Sequence, residues 1–301
     1  MAVHVQPRPL DLPLPGGREG ATVAVEPFVT GTFRSPEIFQ SSPDGEVGLL
    51  KLIMATRMDN RPVPIPAFLV HHPTAGAILI DTGLHPSIAT SPEENLGRAG
   101  LPLFKPEMDP GQDLPSQLRA KGIDPAAIRL VILTHLHVDH ASAVSEFPNA
   151  TFLVTAREWA AANTGLLPLL KGYRRSQFDY AFDFRTVDFD ADEVNSYSTF
   201  GRTLDLFGDG SVRLVFTPGH SSGHQSVLLR LADREMLVAG DAIFLLEQLD
   251  EGTPLAGRTA DRHEYERSLR ELRLFRQQNP SSVITPGHDR DFYESVPDRL
   301  D

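Results

Sequence analysis

Residues 134–140 read THLHVDH, which places His135, His137, Asp139 and His140 within six positions. Side chains two apart on an extended segment point to the same side, so His135 and His137 present both imidazoles together. Asp139 continues that side, and His140 follows where the chain turns. Further along, two TPGH tetrapeptides supply His220 and His288, and a GD pair supplies Asp241. An isolated histidine near a turn is ordinarily solvated or satisfies a core hydrogen bond. A set of five histidines and two carboxylates at such spacing is a different matter, because imidazole and carboxylate are the ligand types of first-row divalent ions. Four ligands suit one ion and seven suit two. The chain contains no cysteine, so any metal is held by nitrogen and oxygen, and no disulfide framework exists.

These residues recur at the ends of short apolar runs. The run IRLVILT (128–134) is β-branched and reads as a buried strand that delivers HLHVDH at its C-terminal end, the end at which open α/β sheets bind ligands. The runs VRLVFTPGH, EMLVAGD and SSVITPGHD each finish on a histidine or aspartate in the same way. Other expected strands are TVAVEPFV, VGLLKLIMAT, IPAFLVHH, AILIDTG, ATFLVT and QSVLLRL. Helices are expected over LPSQLRAKGI (114–123), with Gly122 just past its end, over AREWAAANT, and over residues 262–278. Residues 84–112, rich in Pro, Gly and polar groups, read as loop. Aromatic alternation at Phe178, Tyr180, Phe182 and Phe184 suits a strand face in the core or an extended flap, and Phe182 is a candidate wall for an acyl or aryl group.

The 301 residues are 41% hydrophobic and 23% charged, enough to bury a full core. Residues 1–20, punctuated by Pro and Gly, read as a flexible or wrapping arm, and 21–301 as one domain of two similar halves. The net charge of −12 disfavours nucleic acid, whose affinity comes from clustered cations. The segment RSLRELRLFR (267–276) is basic, but its leucines fall at helical spacing and mark a surface helix. No signal h-region and no apolar run of membrane-spanning length appear, which makes the cytoplasm the expected compartment and excludes a membrane partner. His4, His71, His72, His85 and His263 lack supporting context and read as ordinary.

Taken in order, LIDTG, THLHVDH, TPGHSSGHQS, AGDA and PGHD resemble the metallo-β-lactamase-fold hydrolases over roughly residues 45–290. The resemblance implies a four-layer αββα sandwich with a dinuclear site at one edge. His135, His137 and His220 would hold one ion, Asp139, His140 and His288 the other, and Asp241 would bridge them. Zinc is the default, with iron, manganese or cobalt compatible with the same ligands. Asp81 in LIDTG resembles the aspartate that orients metal-binding histidines; its alternative is a turn aspartate capping local NH groups. The resemblance makes His224 a structural neighbour rather than a ligand.

Within the superfamily, TPGHSSGHQSV followed by GDA looks most like the N-acyl homoserine lactonases and related lactone or ester hydrolases, some of which pair into homodimers. In those lactonases the position three after the bridging aspartate is commonly a tyrosine that meets the substrate carbonyl, whereas this chain has Phe244, which donates no hydrogen bond. The expected reaction on a small molecule is attack by a hydroxide shared between two ions, with Asp241 and Asp139 as the catalytic carboxylates and Asp139 passing a proton to the leaving group. A phosphotriester, phosphodiester or aryl ester hydrolase is the alternative chemistry. An inactive metal-binding module is the alternative that is not an enzyme.

Overall fold

The computed structural model describes residues 5–36, 41–42, 61–164, 168–256 and 259–301. Among these residues one mixed sheet has eight strands. In spatial order they are β1 (Arg8–Pro9), β8 (Asp183–Val187), β7 (Thr151–Thr155), β6 (Leu130–Ile132), β4 (Gly76–Ile80), β3 (Arg61–His72), β2 (Ala24–Ser35) and β5 (Pro106–Glu107). The second sheet has six: β14 (Val283–Pro286), β13 (Glu235–Gly240), β12 (Gln225–Arg230), β11 (Val212–Phe216), β10 (Phe200–Asp205) and β9 (Asn195–Tyr197). The helices are α1 (Pro92–Phe104), α2 (Leu114–Ala120), α3 (Ala156–Asn163), α4 (Arg262–Gln278) and α5 (Arg290–Ser295).

The period-2 pattern of the strands decides the layering. Ile78 and Ile80 of β4 face Val227 and Leu229 of β12, together with Leu214, Phe216 and Val238, in a core between the two sheets. The alternate residue Leu79 points outward with Val131 and Phe152 against Leu114 and Leu118 of α2. Leu228 and Leu237 point the other way, against Leu269, Leu272 and Phe275 of α4. The result is an αββα sandwich whose sheets are buried on both faces. Truncating Leu79 or Leu228 to alanine would cost about 2–5 kcal/mol.

Helix α4 shows why its basic stretch is structural. Asp261 caps it by accepting from the Glu264 amide at 3.0 Å, Tyr265, Leu269, Leu272 and Phe275 bury one face, and Arg273 donates to the Gln248 carbonyl at 2.8 Å. Arg276 reaches Asp250 at 2.6 Å. Two arginines of the run thus close the 246–250 turn.

Several sequence expectations are revised. The segment 84–112 contains a helix, α1, whose inside carries Gly97 at φ 69° and Pro102; the resulting kink erases the periodicity that would have revealed it. The strand expected over 47–56 lies outside the described residues. Of the aromatic segment only Asp183 onward is strand, while Arg175–Gln177 form a 3₁₀ turn. The arm, from Val5 on, lies against the domain: β1 pairs parallel with β8, Leu10 donates to Thr186 at 2.9 Å and Leu14 to Leu206 at 2.7 Å, and Leu10, Leu12 and Leu14 pack on the inter-sheet core.

Candidate metal centre

Four strands stop at one edge of the sandwich, and the seven candidate residues occupy the turns beyond them. After β6 the chain carries His135 to His140. His220 follows β11, Asp241 follows β13 and His288 follows β14. The second TPGH turn tolerates no side chain at its glycine, because a Cβ on Gly287 would lie 2.4 Å from Asp241 Oδ1.

The side chains converge in overlapping triplets: His135, His137 and His220; His135, His140 and Asp241; Asp139, His140 and His288, each with ligand atoms within 4.8 Å of one another. His137 Nδ1 lies 3.0 Å from His135 Nε2 and 2.9 Å from His220 Nε2. Asp241 Oδ2 is 3.3 Å from His220 Nε2 and from His288 Nε2, and its Oδ1 is 3.3 Å from His140 Nε2. Asp139 Oδ2 stands 3.4 Å from His288 Nε2 and 3.6 Å from His140 Nε2.

Partners outside the cluster fix the tautomers. Asp81, at φ 60°, accepts from His140 Nδ1 at 2.7 Å and from the Thr134 hydroxyl at 2.8 Å through Oδ2, and from the Thr134 amide at 2.8 Å through Oδ1. Because the Thr134 hydroxyl proton is committed to Asp81, His135 Nδ1 at 3.1 Å is the donor to that oxygen. His288 Nδ1 donates to the Pro64 carbonyl at 2.9 Å. His135, His140 and His288 therefore turn Nε2 inward, where a cation in place of a proton would meet its lone pair. His224 stands behind the cluster: its Nε2 accepts from the Asp241 amide at 3.1 Å and its Nδ1 meets Thr217 at 2.9 Å, so it positions Asp241.

Burial pushes His135, His137 and His220 below the ordinary imidazole range, His135 and His220 far below it, and takes His224 down to about 3. Burial also opposes charge on His140, but Asp139, Asp241 and Asp81 outweigh it and hold His140 well above that range. Burial likewise opposes charge on His288, and Asp241 and Asp139 raise it. Burial works to raise the Asp241 carboxyl, yet His288, His140 and His220 keep it well below the usual value. One triplet is thus made of neutral donors, and the rest of the centre is a carboxylate-rich nest.

The donor set fits a metal. His140 Nε2 and Asp241 Oδ1 are buried without a hydrogen-bond partner among the described residues, a cost of about 1–3 kcal/mol each when uncompensated. Two imidazole nitrogens cannot both donate to the single lone pair of His137 Nδ1, and a shared cation would satisfy the three inward nitrogens together.

The profile of the Metallo-beta-lactamase superfamily matches residues 60–288. The chain belongs to that superfamily. The N-acyl homoserine lactonase AttM of Agrobacterium fabrum (strain C58 / ATCC 33970) is 35% identical over 231 residues, covering 76% of this chain and 83% of the relative. Among solved structures, an N-acyl homoserine lactone hydrolase with N-hexanoyl-L-homoserine at its catalytic metal centre superposes with a TM-score of 0.71 at 21% identity, covering 92% of this chain and 97% of the other. AidC, a dizinc quorum-quenching lactonase holding a product, gives 0.56 at 16% identity over 92% and 90%. With its histidine-rich centre, this member of the superfamily is a metal-dependent hydrolase.

A cavity of about 440 Å³ opens over the centre and is lined by His137, Asp139, His220, Asp241 and His288 at its floor. Phe33, Leu103, Phe104, Leu169 and Leu170 supply apolar wall, and Tyr173, Ser221 and Ser222 supply hydroxyls. Phe244 also lines it, stacked on His288 at 5.5 Å and edge-on to His220 at 5.3 Å. Phe182 is not in its lining, so of the two readings of the aromatic segment the core holds for it and the wall does not. It stacks on Phe152 at 6.0 Å and Tyr180 at 5.3 Å, because the strand that follows carries this segment into the α-side core.

Sequence reasoning missed Glu158, and read Tyr173 only as one of an aromatic segment with a choice between core and pocket. Tyr173 packs on the His137 ring at 4.8 Å and is bridged to it through the backbone. Glu158 looked like an ordinary first-turn helical acid in AREWAAANT, although Thr155 three residues earlier was a legible N-cap. Its complete burial was not legible.

Proposed function

We propose that this hydrolase opens the lactone ring of N-acyl homoserine lactones at a two-metal centre, zinc by default. His135, His137 and His220 would hold one ion, Asp139, His140 and His288 the other, with Asp241 between them. The observation that carries the reading is the set of overlapping ligand triplets, with inward lone pairs, at the floor of a largely apolar cavity. The 35% identity to a lactonase supports it.

Two divalent ions so held supply Lewis-acid polarisation of a carbonyl and make water nucleophilic near neutral pH. The protein's own groups do the rest. Phe33, Leu103 and Phe104 receive the acyl chain, and the apolar wall excludes bulk water from the reacting carbonyl. Asp139 is the more accessible of the two carboxylates, its side chain 12% exposed against 3% for Asp241, and it takes the proton lost by the attacking water and passes it to the leaving ring oxygen. Since Phe244 donates nothing, the Ser222 hydroxyl in the lining is the candidate donor to the substrate carbonyl. The Ser221 hydroxyl donates to Glu158, and the Tyr173 hydroxyl lies close to the same carboxylate.

The test is steady-state hydrolysis of a medium-chain acyl homoserine lactone by metal-loaded protein, followed by proton release, with Asp241→Asn as control. Turnover that disappears in the control is the expected result. No turnover with two ions bound would overturn the lactonase reading in favour of aryl esters or phosphotriesters, the reading that Phe244 favours.

A further inference from the structure

The carboxylate of Glu158 is fully buried behind the histidine triplet, and it touches neither the cavity nor a candidate ligand atom. Three donors meet its two oxygens. The Leu136 amide reaches Oε1 at 3.0 Å, while the Ser221 hydroxyl at 2.7 Å and the Gly223 amide at 3.1 Å reach Oε2. The Tyr173 hydroxyl lies close to the same carboxylate. Leu136 lies between His135 and His137, Ser221 follows His220, and the Tyr173 ring lies on His137. Every loop that carries a member of the His135, His137 and His220 triplet is therefore tied to one side chain. The next residues tighten the tie: Thr155 accepts from the Glu158 amide at 3.0 Å and donates to the Gly223 carbonyl at 2.6 Å.

We infer that Glu158 is a positioning residue that sets the geometry of the three-histidine half of the centre, selectively over the Asp139, His140 and His288 half. The second half has its own anchors, Asp81 for His140 and Pro64 for His288, and none of them touches Glu158. A carboxylate accepts at about four positions and donates at none, so all three donors are met. A glutamine of the same size turns an NH₂ toward at least one of them, so one of the loops must shift. The inference rests on the two-metal reading but not on the substrate.

The experiment uses metal-free full-length protein titrated with Zn²⁺ against a chromophoric chelator, and with Co²⁺ followed by its visible spectrum. Wild type is expected to bind two ions. Glu158→Gln is expected to retain one with wild-type affinity and to bind the other about 10–100-fold more weakly, the usual cost of removing an outer partner of a ligand. Adding His220→Ala to Glu158→Gln should weaken the affected ion by less than it does in wild type, because both changes act on one triplet. Equal weakening of both ions, no weakening, or full additivity with His220→Ala would overturn the inference. If Glu158→Gln does not fold, Ser221→Ala removes one tie and leaves the carboxylate, and the same selective weakening is then required. Fewer than two ions on wild type would overturn the two-metal reading and this inference with it.

Discussion

Asp81→Asn isolates the proton arrangement on which the centre depends. Asparagine tolerates the left-handed backbone at φ 60° as well as aspartate does, so the substitution adds no strain and changes only hydrogen bonding. The amide oxygen can keep the Thr134 amide, now held at 2.8 Å. The amide nitrogen then faces His140 Nδ1 and the Thr134 hydroxyl, both of which donate to the present carboxylate at 2.7 and 2.8 Å. Relief requires His140 to move its proton to Nε2, where it blocks the inward lone pair. The lost charge-assisted bond is worth about 1.5–3 kcal/mol. Metal affinity should fall about 10–100-fold, or about 1.4–2.8 kcal/mol, so the two routes agree in size. Competition with a chelator of known affinity reads this directly, and melting in chelator should show a smaller loss than melting in saturating metal. An Asp81→Asn protein that held both ions within about threefold of wild type would refute the tautomer argument.

Gly223→Ala should destabilise the fold by about 1–3 kcal/mol in urea unfolding, since its Cβ would lie 2.1 Å from the Glu158 amide nitrogen, a backbone atom that cannot swing away. Phe244→Tyr should raise lactone turnover up to about tenfold, the worth of one added hydrogen bond, at unchanged metal content; unchanged turnover would keep the donor role with Ser222. His72 is a buried group that accepts from the Ala75 amide at 3.0 Å, and burial lowers its pKa below 6.5, with Asp209 opposing. The stability it contributes is full above about pH 6.5 and is lost as pH falls through the lower folded value. Metal-free wild type should therefore lose stability more steeply than His72→Leu on going below pH 6.5, and parallel curves would count against it.

The layering and the candidate His/Asp cluster were legible because both rest on local pattern. Ile78, Leu79 and Ile80 alternate as a two-sided buried strand must, and HLHVDH, TPGH and AGD follow apolar runs whose ends the sheet brings together. What stayed hidden was decided at long range. The Leu10–Leu14 arm has polar and proline neighbours that conceal its fit to the inter-sheet core. Phe182 has an alternation that suits a core strand face as well as a flap, and its stacking on Phe152 and Tyr180 decides for the core. Glu158 differs from an exposed helical acid only by three loops folding over it.

The His288 contact with Pro64 spans 224 residues, and that between His137 and His220 spans 83. Such contacts are slow to form, since loop closure must precede the gain from them. A chain folded only through β8 carries His135 and His137 but neither His220 nor Asp241, so no triplet is complete except by docking of the second sheet. Ion uptake in a refolding experiment therefore becomes a clock for that docking, running behind the appearance of secondary structure in the first sheet.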